Sequence, residues 1–208
     1  MVLRSLALRI LTLSLPLVLA VPSQAADRVQ IQAFARSVLQ AGDAGGRAFA
    51  VVDKPSATLW VFGRSGVLIG KTPVLVGEAV GDVAPSDIGT RPLSKIAKSE
   101  KITAAGRYLT EPGVNAQGED IVWLDYDAAL SMHRVRHVRG EHRPERLAAP
   151  GTSAKRISFG CINLPPAFYD RTVAPLFGRH EGVVYVLPEQ HAIGDFFPFA
   201  RDSNPNDE

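Results

Sequence analysis

A chain of 208 residues with one cysteine has no partner for an internal disulfide, so its fold must rest on core packing. An excess of either charge is also missing: 23 Lys and Arg against 21 Asp and Glu leave a formal net charge of +2. That balance gives no electrostatic reason to expect nucleic acid as a partner. No apolar run reaches the ~20 residues that a membrane-crossing helix needs. Internal repeats and low-complexity tracts are absent too, which excludes fibrous, solenoid and disordered classes. What is present is ordinary for a soluble domain: 46% apolar and 21% charged residues. The length is enough for one domain with a core that needs no staples.

The first residues read as an export leader. Arg4 and Arg9 give a positive start, and Ile10 to Val21 is apolar except for Thr12, Ser14 and Pro16. Ser23-Gln24-Ala25 then offers small residues where a signal peptidase reads. Cleavage after Ala25 is expected, followed by a periplasmic location with no stable membrane insertion. No cysteine follows the apolar run, which argues against a lipid anchor. Loss of Arg4 and Arg9, with no acid removed, brings the net charge from +2 to zero. In an oxidising compartment, a lone thiol is a liability unless it is buried or used.

Residues 26–46 are expected to hold a short helix and a linker. Ile31, Phe34, Ala35, Val38 and Leu39 fall at helical spacing, and Gly42, Gly45 and Gly46 end the run. From Phe49 the pattern changes to strands. Phe49 to Val52, Thr58 to Phe62 and Val67 to Ile69 are parted by Asp53-Lys54-Pro55-Ser56 and Gly63-Arg64-Ser65-Gly66, both turn sequences. Thr72 to Val76 is expected as a fourth strand, and such local pairing is antiparallel. Further extended segments are expected at 102–109, 120–126, 129–135 and 182–187, with a helix at 165–173. The stretches 77–101 and 136–155 read as long loops. The arginines of the second (Arg134 and Arg136 at its edge, then Arg139, Arg143 and Arg146) read either as a solvated basic loop or as contacts for an anionic polymer. The body is expected to span 47–190, with a polar tail over 191–208.

Chemistry concentrates at Arg156-Ile-Ser-Phe-Gly-Cys-Ile-Asn-Leu164. Gly160 lets the backbone turn tightly before Cys161, and the amides of Gly160 and Cys161 are candidates for an oxyanion hole. Ser158 is placed to hold that turn with its hydroxyl. A thiol needs a base to attack at neutral pH. Of the five histidines, His133 follows the apolar run Ala128 to Met132 and belongs at a strand end. His137 and His142 fall in the arginine-rich loop, and His180 and His191 flank the last strand. A loop is a poor place for a rigid base. One cysteine among scattered histidines has no metal-ligand spacing, so neither a metal nor a cofactor is expected.

His133 followed by Ser158-Phe-Gly-Cys-Ile-Asn163 resembles the L,D-transpeptidase catalytic domain of the YkuD type. Phe49-Ala-Val-Val-Asp53, Val74-Leu-Val-Gly77 and Thr103-Ala-Ala-Gly-Arg-Tyr108 resemble further segments of that family, in the same order. The resemblance runs from about Phe49 to about Pro188. It implies a mainly β fold, a YkuD-like β-sandwich or barrel with a few short outer helices. It also implies a monomeric exported acyltransferase that acts on peptidoglycan stem peptides through a Cys161 thioester. His133 would be the base, oriented by the Arg134 carbonyl. Ser158, Phe159, Asn163 and Arg134 would face the substrate, with Arg134, Asn163 and the loop arginines as candidates for its carboxylates. Two features depart from the family. Phe159 stands where it usually has histidine or arginine, and its usual histidine-to-serine spacing fits His142 rather than His133. The strand context favours His133, which makes residues 136–149 an inserted loop over the site. Water in place of the amine acceptor would give an L,D-carboxypeptidase, and a lipoprotein lysine an anchoring enzyme. An inactive wall-binding module is the reading from another class. A papain-like hydrolase needs the cysteine ahead of the histidine, which leaves only His180 or His191.

Overall fold

The computed structural model of the chain describes residues 23–201, with side chains from Arg28 onward. Nearly all of the expected leader and residues 202–208 lie outside the described residues. Helix α1 (Ser23–Gln40) precedes β1 (Phe49–Asp53), β2 (Thr58–Phe62), β3 (Leu68–Pro73) and β4 (Val76–Gly77). There follow β5 (Gly106–Leu109), β6 (Glu111–Val114), β7 (Asp120–Asp125) and β8 (Leu130–Arg134). Next come α2 (Arg143–Ala148), β9 (Arg156–Ser158), β10 (Ile162–Leu164) and α3 (Pro166–Phe168). The last elements are π-helical turns at Tyr169–Gly178, β11 (Val183–Val186) and α4 (Ile193–Phe196).

The fold is mainly β, as the short apolar runs imply. One sheet has the order β3-β2-β1-β11-β5 and a second the order β10-β8-β7-β6, while β4 pairs with β9. The first three strands are antiparallel, as their turn sequences predict. Every residue of β1 and β11 is buried, because both faces of their sheet are covered. Ala50, Val52, Val61, Val184 and Val186 meet Val122, Leu124 and Met132 of the second sheet. On the other face, Phe49, Val51, Trp60 and Tyr185 are capped by Ile31, Phe34 and Val38 of α1. Phe197 and Ala200 join that cap, with the Phe34 ring edge-on to Tyr185 at 5.4 Å and to Phe197 at 5.1 Å. The segment read as a tail from residue 191 is therefore packed as far as Ala200.

Other expectations change in instructive ways. The strand expected at Thr72 to Val76 is divided, because β3 ends at Pro73, whose ring leaves no N–H to continue a ladder. Only Gly106–Leu109 of the expected 102–109 strand pairs, with β11. The helix expected at 165–173 runs on to Gly178 as wide π turns around Pro175, which cannot supply an α-helical hydrogen bond. The long loop 136–155 contains α2, and its arginines are mostly engaged. Arg146 donates to the Glu141 and Ala154 carbonyls, Arg136 to Gln117, and Arg143 to Glu141.

Three parallel pairings join distant segments: β4 with β9, β8 with β10, and β1 with β11. The second sets Asn163 opposite His133 and Ile162 opposite Met132. A buried polar knot ties the loops behind this pairing. The Lys54 ammonium, with no exposed side-chain surface, meets Asp82 at 2.7 Å and donates to the Gly81 and Thr103 carbonyls. Asp82 also accepts the amides of Glu189, Gln190 and His191 and faces His191 Nδ1. Burial pushes the Asp82 carboxyl up, but Lys54, His191 and the amides outweigh it and hold it well below the usual carboxylate range. Its stabilising contribution is therefore present above an unfolded value near ~3.9 and is lost as pH falls toward the folded one. Asp82→Asn removes the nearer of the two buried carboxylates beside Lys54 and leaves only Glu189, at 3.6 Å. It is expected to cost about 3–5 kcal/mol in denaturant unfolding at neutral pH, with a smaller difference from the parent in acid.

Candidate active site

Cys161 stands at the entry to β10 and is partly buried. Its surroundings come from β8 and the turn before it. The thiol donates to the Ala129 carbonyl at 3.2 Å, and the Ser131 hydroxyl lies 3.5 Å from Sγ. Ala129 has φ of 52°, a left-handed conformation uncommon for a residue with a Cβ. That turn aims its carbonyl at the sulfur.

His133 lies close enough to the thiol to lower its pKa, and its Nδ1 lies 2.7 Å from the Arg134 carbonyl. A carbonyl only accepts, so Nδ1 carries the proton and Nε2 keeps its lone pair. Burial pushes the Cys161 thiol up, but the neighbouring His133, and after it Ser131, outweigh that effect. The thiol consequently lies below its ordinary value. His133→Ala removes the largest lowering influence and leaves the desolvation, so the thiol should move up. The alkylation rate of the parent by iodoacetamide is expected to rise at a pH below that of a free cysteine, and that of the variant at a higher pH than the parent.

The other residues singled out by the sequence fall into new places. Asn163, expected to face substrate, is fully buried. Its Nδ2 donates to the Cys161 carbonyl at 3.1 Å and lies 3.4 Å from His133 Nε2, while Arg143 Nη1 donates to its Oδ1 at 2.9 Å. The arginine fixes which way the amide points, since guanidinium has no acceptor. Ser158 is also buried, and its Oγ accepts the Gly160 N–H at 3.1 Å. It holds the turn. The same bond occupies the Gly160 amide that the sequence suggested for an oxyanion hole. The Cys161 N–H has no hydrogen-bond partner among the described residues. Arg134 is spent elsewhere, bonded to Asp120 at 2.9 Å and Asp170 at 2.6 Å with its guanidinium over the Tyr169 ring. Phe159 is half-buried under the Lys101 ammonium, 4.1 Å from the ring centre, and Lys101 pairs with Glu78. His142 is exposed ahead of α2 in a left-handed conformation.

Arg143, Ser131 and Thr103 were not identifiable as site residues from sequence, apart from Arg143 as one arginine among several. Thr103 Oγ1 donates to the Gly160 carbonyl at 2.6 Å. A cavity of about 700 Å³ between the β2–β3 hairpin and residues 147–155 is separate, and neither Cys161 nor His133 lines it. Among the described residues no group of three His, Cys, Asp or Glu is placed to hold a metal ion. No helix among them is long and apolar enough to cross a membrane.

The sequence matches no protein-family profile and no curated protein. Solved structures similar to it include an L,D-transpeptidase from Mycobacterium smegmatis, at 16% identity over 67% of this chain and 58% of that one, with a TM-score of 0.38. Bd1075 of Bdellovibrio bacteriovorus is similar at 16% identity over 69% of this chain and 48% of that one, TM-score 0.41. The catalytic domain of an E. faecium L,D-transpeptidase is similar at 20% identity over 68% of this chain and 98% of that domain, TM-score 0.35. The chain spans about half the length of the first two.

Proposed function

We propose that this chain is an exported cysteine acyltransferase of the L,D-transpeptidase kind, acting on peptidoglycan stem peptides. One observation carries the reading: a partly buried thiol beside a histidine that lowers its pKa and whose Nδ1–H is fixed on a backbone carbonyl. That arrangement suits a thiolate nucleophile with Nε2 as its base. The Ser-x-Gly-Cys segment at 158–161 and its place downstream of His133 support the same family. The leader-like residues before Ala25 support export to the periplasm.

In this mechanism His133 Nε2 takes the Cys161 proton. The sulfur bonds to a stem-peptide carbonyl carbon, and the carbonyl electron pair moves to oxygen. The oxyanion collapses, the amide C–N bond breaks, and His133 returns the proton to the departing amine. A second amine then attacks the thioester, losing a proton to His133, and Cys161 leaves as the thiolate. The cycle is ping-pong and requires no cofactor.

The test is incubation of the purified protein with tetrapeptide muropeptides and analysis of the products. Cross-linked dimers support transpeptidation. Tripeptides without dimers mean that water is the acceptor. No turnover contradicts the acyltransferase reading.

A further inference from the structure

The buried hydroxyl of Thr103 has no part in the chemistry described so far, yet it touches the residue before the nucleophile. Its oxygen receives the Gly77 N–H at 2.8 Å. An amide only donates, so the single Thr103 proton is directed to its other neighbour, the Gly160 carbonyl at 2.6 Å. In a planar trans peptide the C=O and the following N–H point in opposite directions. Holding the Gly160 carbonyl therefore sets the direction of the Cys161 N–H. That N–H has no partner among the described residues, whereas the Gly160 N–H is bonded to Ser158.

We propose that Thr103 is a positioning residue that turns the Gly160–Cys161 peptide so that the Cys161 N–H meets the oxygen of the acyl group under attack. The inference rests on acyl transfer by Cys161. Its surroundings are built for one arrangement. Gly77 lies so close that a Cβ there would meet the Lys101 carbonyl at 2.3 Å and the Thr103 nitrogen at 2.7 Å. Gly160 has φ of 134°, and a Cβ there would meet the Ile102 carbonyl at 2.8 Å. Thr103 is 1% exposed, and its own carbonyl accepts from Lys54 at 3.1 Å, so the hydroxyl cannot drift. The Lys54–Asp82 pair thus braces the segment that braces the nucleophile loop.

The experiment compares two reactions of Cys161 in the parent, Thr103→Val and Thr103→Ser. In the first, the sulfur opens the ring amide of a carbapenem. A C–S bond forms, an oxyanion develops and collapses, the ring C–N bond breaks, and the ring nitrogen receives a proton. In the second, iodoacetamide is displaced at carbon with loss of iodide, and no oxyanion forms. The Val variant is expected to acylate about a hundredfold more slowly. Its alkylation rate and pH profile should match the parent, and Ser should restore acylation. Acylation of Thr103→Val at the parent rate overturns the proposal and leaves acyl transfer intact. Equal losses in both reactions, or no rescue by Ser, also overturn it, since they mark a structural role. A parent that alkylates but is never acylated removes acyl transfer itself, and the positioning role with it.

Discussion

Cys161→Ala is expected to abolish turnover of tetrapeptide muropeptides. No other thiol exists in the chain, and the neighbouring Ser131 hydroxyl is buried on β8. The loss should be in kcat, because the sulfur forms the covalent intermediate. The fold should survive, since the thiol is only partly buried and its one donated bond goes to the Ala129 carbonyl. Unchanged thermal unfolding with product below detection is the expected pair of results. Residual turnover near the parent rate would remove the cysteine from the chemistry.

The second large effect belongs to the base. His133→Ala should slow acylation by on the order of 10²–10⁴-fold, the usual range for losing a general base. Acylation of this variant at high pH should recover in part, as hydroxide forms the thiolate without help. His142→Ala should acylate at the parent rate, because that side chain is exposed ahead of α2. Rates of the two variants, taken with the same carbapenem, decide between the histidines. A slow His142→Ala beside a normal His133→Ala would reverse the assignment.

How far the sequence reaches differs from element to element. β1 and β2 are legible because Phe49 to Val52 and Thr58 to Phe62 are apolar runs flanked by turn residues, and local pairing needs only that. The parallel pairing of β8 with β10 is not legible, since its register depends on packing between segments 30 residues apart. That register is what brings Asn163 to His133. Gly160 and Ser158 are conspicuous in sequence for their turn chemistry, but only the folded turn reveals that each satisfies the other. Arg134 and Arg143 look alike in a run of arginines. The structure separates them, one bonded to Asp120 and Asp170, the other reaching Asn163 beside the thiol. Thr103 opens a segment that resembles the family's, but its role is not legible there, because a hydroxyl's use depends on which carbonyl the fold sets opposite it. The tail and the π turns were missed for simpler reasons. Phe196, Phe197 and Phe199 are apolar residues close to the end of a polar stretch, and Pro175 breaks the helical pattern after it has begun.

Intact mass spectrometry of the purified protein after exposure to a carbapenem tests the central claim most directly. The account predicts one covalent adduct per chain, formed by the parent and absent from Cys161→Ala. An unmodified parent that also leaves tetrapeptide muropeptides unchanged would contradict it.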